Sequence, residues 1–223
     1  MLYKGRNSNC LKNSHYLYPL IKETIGKRKK KRIEYEISSY TKDFDEFSKK
    51  CQVGENDSFI CSLIRRDSIE EFVSYVNRTN YPLKKEIPHS IYETNDFLNT
   101  RPATLIEYAS FYGSIQIIRF LKANNVELTP SLWLYSIHSN DANPIHFLEE
   151  NKVQPPGYTY ESCFKEAFKC YHNEIARYIE DNYLNDEKEN NIRNFINLKD
   201  YKETLSAYVF RFHNPEFVEE CLN

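Results

Sequence analysis

An all-α fold of stacked helical hairpins is predicted by three observations. Apolar residues keep a helical period from Phe59 onward, one spacing template recurs five times, and no stretch shows the alternating pattern of strands. Leu105, Ala109, Ile117 and Leu121 lie at offsets 0, 4, 12 and 16. The same offsets select Ile60, Ile64, Phe72 and Val76; Leu132, Ser136, Pro144 and Leu148; Cys163, Ala167, Ile175 and Ile179; and Leu205, Val209, Phe217 and Cys221. A step of four keeps two residues on one helix face, and the eight-residue gap leaves room for a helix end, a tight turn and a new start. Each unit therefore reads as an antiparallel hairpin whose apolar side is hidden by the next.

The elements follow in order. Residues 1–32 form a polar segment that ends in an unbroken basic run, Lys27, Arg28, Lys29, Lys30, Lys31 and Arg32. Over 33–54, the stripe Ile33, Ile37, Tyr40, Phe44 and Phe47 predicts a capping helix for the first hairpin, with self-association through that stripe as the alternative. A turn-rich break precedes Phe59, with Asp57 or Ser58 as its helix cap, so the repeat domain is placed at 55–223. Pro144 falls at an anchor, which predicts a late start for that second helix. Asn124, Asn151 and Asn182 recur three residues after the last anchor and are expected to take the left-handed conformation that ends a helix. Val126, Val153 and Leu184, two residues further on, are expected to pack back on the last turn. Residues 185–200 read as an exposed insertion with a short helix at 192–196.

Composition narrows the function. The 223 residues carry 30 Lys+Arg and 32 Asp+Glu, so the net charge of −2 gives no overall attraction to nucleic acid or an anionic membrane. Glycine numbers 5, where average usage of about 7% would give about 15, so phosphate-cradling loops have little raw material. A mean hydropathy of −0.69 argues against a membrane span. The opening residues lack an apolar leader core, and the six cysteines show no C-x-x-C pair, which predicts reduced thiols and a cytoplasmic setting. The six histidines show no H-x-x-x-H or H-E-x-x-H spacing, and no P-loop or G-x-S-x-G occurs. No metal, cofactor, small-molecule substrate or catalysis is expected.

The run Thr104-Leu105-Ile106-Glu107-Tyr108-Ala109-Ser110-Phe111-Tyr112-Gly113, followed by Ile117-Ile118-Arg119-Phe120-Leu121, resembles the ankyrin repeat, with its T-P-L-H-x-A first helix and V-x-x-L-L second helix. Residues 97–184 resemble, more narrowly, a divergent ankyrin-type domain of unknown function expanded in some protists. Leu105 and Glu107 depart from the family Pro and His, and Ser68, Asn140, Tyr171 and His213 stand where Gly113 does. Tetratricopeptide units would need longer helices. The resemblance implies a module that binds a protein partner on a concave face. Carried over by position, its lining residues are Arg66 and Asp67, Phe111 and Tyr112, His138 and Ser139, Lys169 and Cys170, and Arg211 and Phe212. The exposed pair Phe111 and Tyr112 is the expected hot spot, with coverage of the adjacent helix as the alternative. Trp133 is expected in the core.

The basic run offers a competing function, a nuclear or membrane-surface regulator targeted by residues 27–32. No aromatic interrupts it, which argues against specific nucleic-acid reading.

Overall fold

The computed structural model describes residues 18–38 and 41–184, and no strand occurs among them. The helices are α1 (Tyr18–Ile21), α2 (Lys27–Ser38), α3 (Phe44–Val53), α4 (Phe59–Arg65), α5 (Ile69–Thr79), α6 (Asp96–Thr100), α7 (Leu105–Phe111), α8 (Ile115–Ala123), α9 (Leu132–His138), α10 (Ala142–Glu150), α11 (Glu161–Lys169) and α12 (Asn173–Ile179). The fifth template copy, Arg211 and Phe212, the 185–200 insertion and Tyr40 lie outside the described residues.

The chain forms two compact units, one from the residues up to Ser62 with Glu86–Ala103, the other from Leu63–Lys85 and the residues from Thr104 onward. In the first, Tyr18, Ile33, Ile37, Phe47, Cys51 and Tyr92 make one core. The single helix predicted over 33–54 is two helices. Asp43 turns a carboxylate onto the backbone N–H groups of Asp45 (2.9 Å) and Glu46 (3.0 Å), and this cap starts α3 afresh. Phe44 is consequently the first residue of a new helix and is 42% exposed, while the basic run opens α2 instead of preceding a helix. Before α4, Ser58 stands at the N-cap position, its carbonyl accepting the Ser62 N–H (3.1 Å), but its hydroxyl makes no capping bond. Buried Asn56 accepts the Ser58 N–H (3.0 Å) and donates to the Pro88 carbonyl (2.6 Å), and Asp57 is taken by Lys50 and Ser90.

The four template copies that fall on described residues coincide with the helix pairs α4–α5, α7–α8, α9–α10 and α11–α12, and all sixteen anchors are buried. In the second unit α7, α9 and α11 pack side by side. Trp133 is fully buried, as expected. Each hairpin turn needs one left-handed residue. Gly113, Asn140 and Tyr171 serve at the template position, but the first hairpin uses Asp67 (φ 47°), one residue before Ser68.

That slip has a use. Ser114 makes no side-chain cap for α8, so its first-turn N–H groups need another acceptor. Asp67, in the preceding hairpin's turn, accepts from Gln116 and Ile117, each at 3.1 Å, and Ser114 Oγ donates to the Ile64 carbonyl (2.6 Å). The equivalent tie recurs where His172 Nδ1–H donates to the Ile137 carbonyl (2.7 Å). Asp67→Ala removes a cap worth about 1 kcal/mol and strains a positive φ by about another 1 kcal/mol, so a loss near 2 kcal/mol is expected in urea unfolding. Asp67→Asn, which keeps an acceptor and tolerates the turn, should stay close to wild type; equal losses for both would refute the cap.

The helix ends differ from the prediction by one residue. Asn124 and Asn151 have φ near −90°, and the left-handed positions are Asn125 and Lys152. The asparagines instead donate their side-chain amides to the carbonyls four residues back, Phe120 (2.8 Å) and Phe147 (2.7 Å), with Asn182 bonding Tyr178 likewise. Val126 and Val153 do fold back, their N–H groups reaching Leu121 and Leu148, and both are buried, as is Leu184. Helix α10 does not start late. Asp141 caps it, and Pro144 sits in the first turn, where a missing N–H costs nothing.

Candidate functional site

The ends of the first helices in the second unit carry a continuous row of side chains. Arg65 closes α4, Phe111 and Tyr112 close α7, His138 closes α9, and Glu166, Lys169 and Cys170 close α11. Because α7, α9 and α11 lie side by side and each ends in the same kind of turn, residues 27 to 32 apart in sequence become neighbours.

At one end Arg65 Nη1 donates to the Tyr108 hydroxyl (2.8 Å), and its guanidinium lies 5.9 Å from the Tyr112 ring centre. The Tyr112 ring sits 4.8 Å from that of Tyr108 and 5.1 Å from that of Phe111. Phe111 in turn stacks on the His138 imidazole at 4.9 Å and 20°. His138 Nε2 lies 3.0 Å from Glu166 Oε1, which also accepts from Lys169 Nζ at 3.1 Å. Cys170 Sγ lies 3.5 Å from His138 Nδ1 and 3.9 Å from Nε2. The His138 and Glu166 side chains are only 10% and 16% exposed, against 49% for Lys169.

Electrostatics follow from that burial. Desolvation pushes the Glu166 carboxyl up, but hydrogen bonds from His138 and Lys169 outweigh it and hold the group below its ordinary value, so the carboxylate is ionised at neutral pH. Burial, reinforced by the Glu166 charge, pushes the Cys170 thiol up to about 11, and it is protonated at neutral pH. His138, Glu166 and Cys170 place one donor atom each within 4.8 Å of one another, the spacing at which side chains can share a metal ion.

Of the residues that sequence placed on the binding face, the structure brings together Phe111, Tyr112, His138, Lys169 and Cys170. Phe111 departs from the expectation of exposure. It is 8% exposed, wedged between Tyr112 and His138, and is a packing residue of the row. Ser139 is drawn into its own turn, donating to the Ser136 carbonyl (2.7 Å) and accepting from the Asp141 N–H (3.2 Å). Arg66 is exposed and pairs with Glu71 (3.6 Å). Arg65 and Glu166 escaped sequence reading. Arg65 was hidden by the one-residue slip of the first turn, whereas Glu166 lies one helical turn before Cys170 and so shares its face, a signal the spacing carried.

The basic run occupies the first two turns of α2, with Lys27, Arg28, Lys29, Lys31 and Arg32 exposed and no acidic residue in the first turn. Lys30 faces Glu23 at 3.9 Å and Arg32 faces Glu36 at 3.6 Å.

A polar depression of about 340 Å³ lies in the first unit, lined by Thr41, Glu46, Lys50, Asp57, His89, Ser90, Ile91 and Tyr92. Bonds to Glu46 and Asp57 hold the Lys50 ammonium above its ordinary value, the reverse of an activated amine.

No family model, curated protein or solved structure matches this chain.

Proposed function

We propose that the chain is a non-catalytic protein-interaction module, an ankyrin-like hairpin stack that offers the ends of its first helices to a protein partner. The supporting observation is the unbroken row from Arg65 through Tyr112, Phe111 and His138 to Lys169. It sets the Arg65 guanidinium beside the Tyr112 ring, residue types that make hot spots in protein interfaces, and ends on the half-exposed Lys169 ammonium. The buried anchors explain the repeats, and the partly exposed members of the row, Arg65, Tyr112 and Lys169, are not among them.

The test places a photo-crosslinking residue in turn at Arg66, Tyr112 and Lys169, with Arg119 on the exposed side of α8 as control. The first three positions should capture one common protein, and Arg119 should not. Replacing the three together by alanine should lower recovery at least about tenfold, about 1.4 kcal/mol, with the circular dichroism spectrum unchanged. Equal capture from Arg119, or undiminished recovery from the triple variant, refutes the reading.

One observation favours a second reading, in which α2 docks on an anionic surface. Cations crowd the helix end that already carries a partial positive charge, an arrangement that lowers helix stability unless an external anion offsets it. Serine at Lys27, Arg28, Lys31 and Arg32 should then abolish sedimentation with vesicles containing phosphatidylserine and alter the distribution in cells. An unchanged distribution with no vesicle binding by wild type removes this reading.

A further inference from the structure

We propose that His138, Glu166 and Cys170 form a binding site for a thiophilic divalent metal ion of the zinc class, with Lys169 as the cation that occupies the carboxylate when the metal is absent. The proposal goes beyond the docking reading and does not depend on it.

The donor set is one nitrogen, one oxygen and one sulfur. Imidazole and thiolate together favour zinc-like ions over magnesium or calcium, which take oxygen alone. Zinc sits about 2.0 Å from nitrogen and oxygen and about 2.3 Å from sulfur, so tetrahedral donors stand about 3.3 to 3.6 Å apart. The observed Nε2···Oε1 and Nε2···Sγ separations, 3.0 and 3.9 Å, straddle that range, and all three donors lie within 4.8 Å of one another. Nε2 is the ring nitrogen that faces the carboxylate, whereas Sγ lies nearer Nδ1 (3.5 Å) than Nε2, so a metal held at Nε2 and Oε1 requires the Cys170 side chain to rotate toward Nε2.

The scaffold positions these groups. Glu166 and Cys170 are four residues apart at the end of α11 and share one face. His138 comes from α9, packed alongside, and its ring is held flat against Phe111. Three protein donors leave a fourth tetrahedral position for water or an incoming ligand, the arrangement of an open zinc site. On binding, the Cys170 S–H bond breaks, a metal–sulfur bond forms, and the proton passes to solvent. Lys169 Nζ, 3.1 Å from Glu166 Oε1, competes with the metal for the carboxylate, and its half-exposed stem lets it swing into water.

The test is a cobalt(II) titration of the full chain, stripped with chelator and kept reduced. Wild type should develop the thiolate-to-cobalt charge-transfer band and tetrahedral visible bands, both discharged by zinc. Because the chain has six cysteines, the assignment rests on variants. Cys170→Ser should remove the charge-transfer band, while Cys163→Ser should keep it. His138→Ala and Glu166→Gln should weaken cobalt at least about tenfold, and Lys169→Ala should tighten it several-fold. Circular dichroism of each metal-free variant checks the fold. A wild type that develops no band, or a band that survives unchanged in Cys170→Ser, overturns the site, and an unchanged affinity in Lys169→Ala overturns the role given to that lysine. Crosslinking at the docking row can fail without touching any of these readouts, so the two readings fall separately.

Discussion

Trp133→Ala lowers the unfolding free energy by about 4 kcal/mol, the largest loss expected from any single truncation in the repeat unit. The indole is fully buried on α9, packs edge-on against Tyr160 at 5.1 Å and Tyr183 at 6.1 Å, and donates Nε1–H to the Val153 carbonyl at 2.8 Å. Truncation leaves a ring-sized cavity and strips that carbonyl of its buried donor, and the two losses act on the same few residues. Trp133→Phe separates them. It retains most of the apolar volume but loses the donor, so a cost of about 1 to 2 kcal/mol is expected. Trp133 is the single tryptophan, so urea unfolding must be followed by far-ultraviolet circular dichroism in wild type and variants alike. A loss below about 1 kcal/mol for the alanine variant would mean that the hairpin containing α9 and α10 does not pack as described.

The tryptophan also marks how far sequence reaches. Its burial is what the ankyrin resemblance implies for the residue after an anchor, and the template itself was legible because a helix repeats every 3.6 residues and stacking hides the same positions in every copy. What the template could not register was a one-residue change in a turn. Asp67 takes the left-handed position that Ser68 was expected to share with Gly113, because its carboxylate is then aimed at the Gln116 and Ile117 N–H groups of the next hairpin. That partner lies about fifty residues away, beyond any local rule. The same slip moved Arg65 into the row in place of Asp67. The asparagine repeats were correctly tied to helix ends, but by the wrong bond. A side-chain amide that reaches the carbonyl four residues back satisfies the terminus as well as a left-handed backbone does, and sequence does not choose between them. The N-terminal helix was misread for a plain reason. Its apolar stripe is continuous across residues 33–47, yet Asp43 followed by Asp45 and Glu46 is a cap with an acidic first turn, and such a signal outranks a stripe.

The cluster of His138, Glu166 and Cys170 was invisible for a different reason. Metal-ligand motifs are recognised by short spacings, whereas here His138 stands 28 residues from Glu166 and 32 from Cys170. Repeat stacking converts those separations into one-helix spacings, so in such folds donor clusters arise between equivalent positions of adjacent units.

Phe111→Ala is the second large effect, and it decides what the row of side chains is for. With 8% exposure, a stacked His138 ring at 4.9 Å and a perpendicular Tyr112 ring at 5.1 Å, Phe111 resembles a core aromatic, and its removal should cost about 3 kcal/mol of stability. Tyr112 is half-buried, so Tyr112→Ala should cost about 1 kcal/mol or less while removing the ring that faces Arg65. Urea midpoints for the two variants, read beside partner recovery in the crosslinking assay, sort the roles. If Phe111 supports the row, its loss lowers stability and weakens recovery only as far as His138 and Tyr112 lose their places. The opposite pattern, stability within about 0.5 kcal/mol of wild type together with abolished recovery, would make Phe111 itself the contact and would require its ring to leave His138 when a partner binds. That outcome would also release the imidazole from the geometry that brings it to Glu166 and Cys170, so cobalt affinity in Phe111→Ala gives an independent reading of the same support.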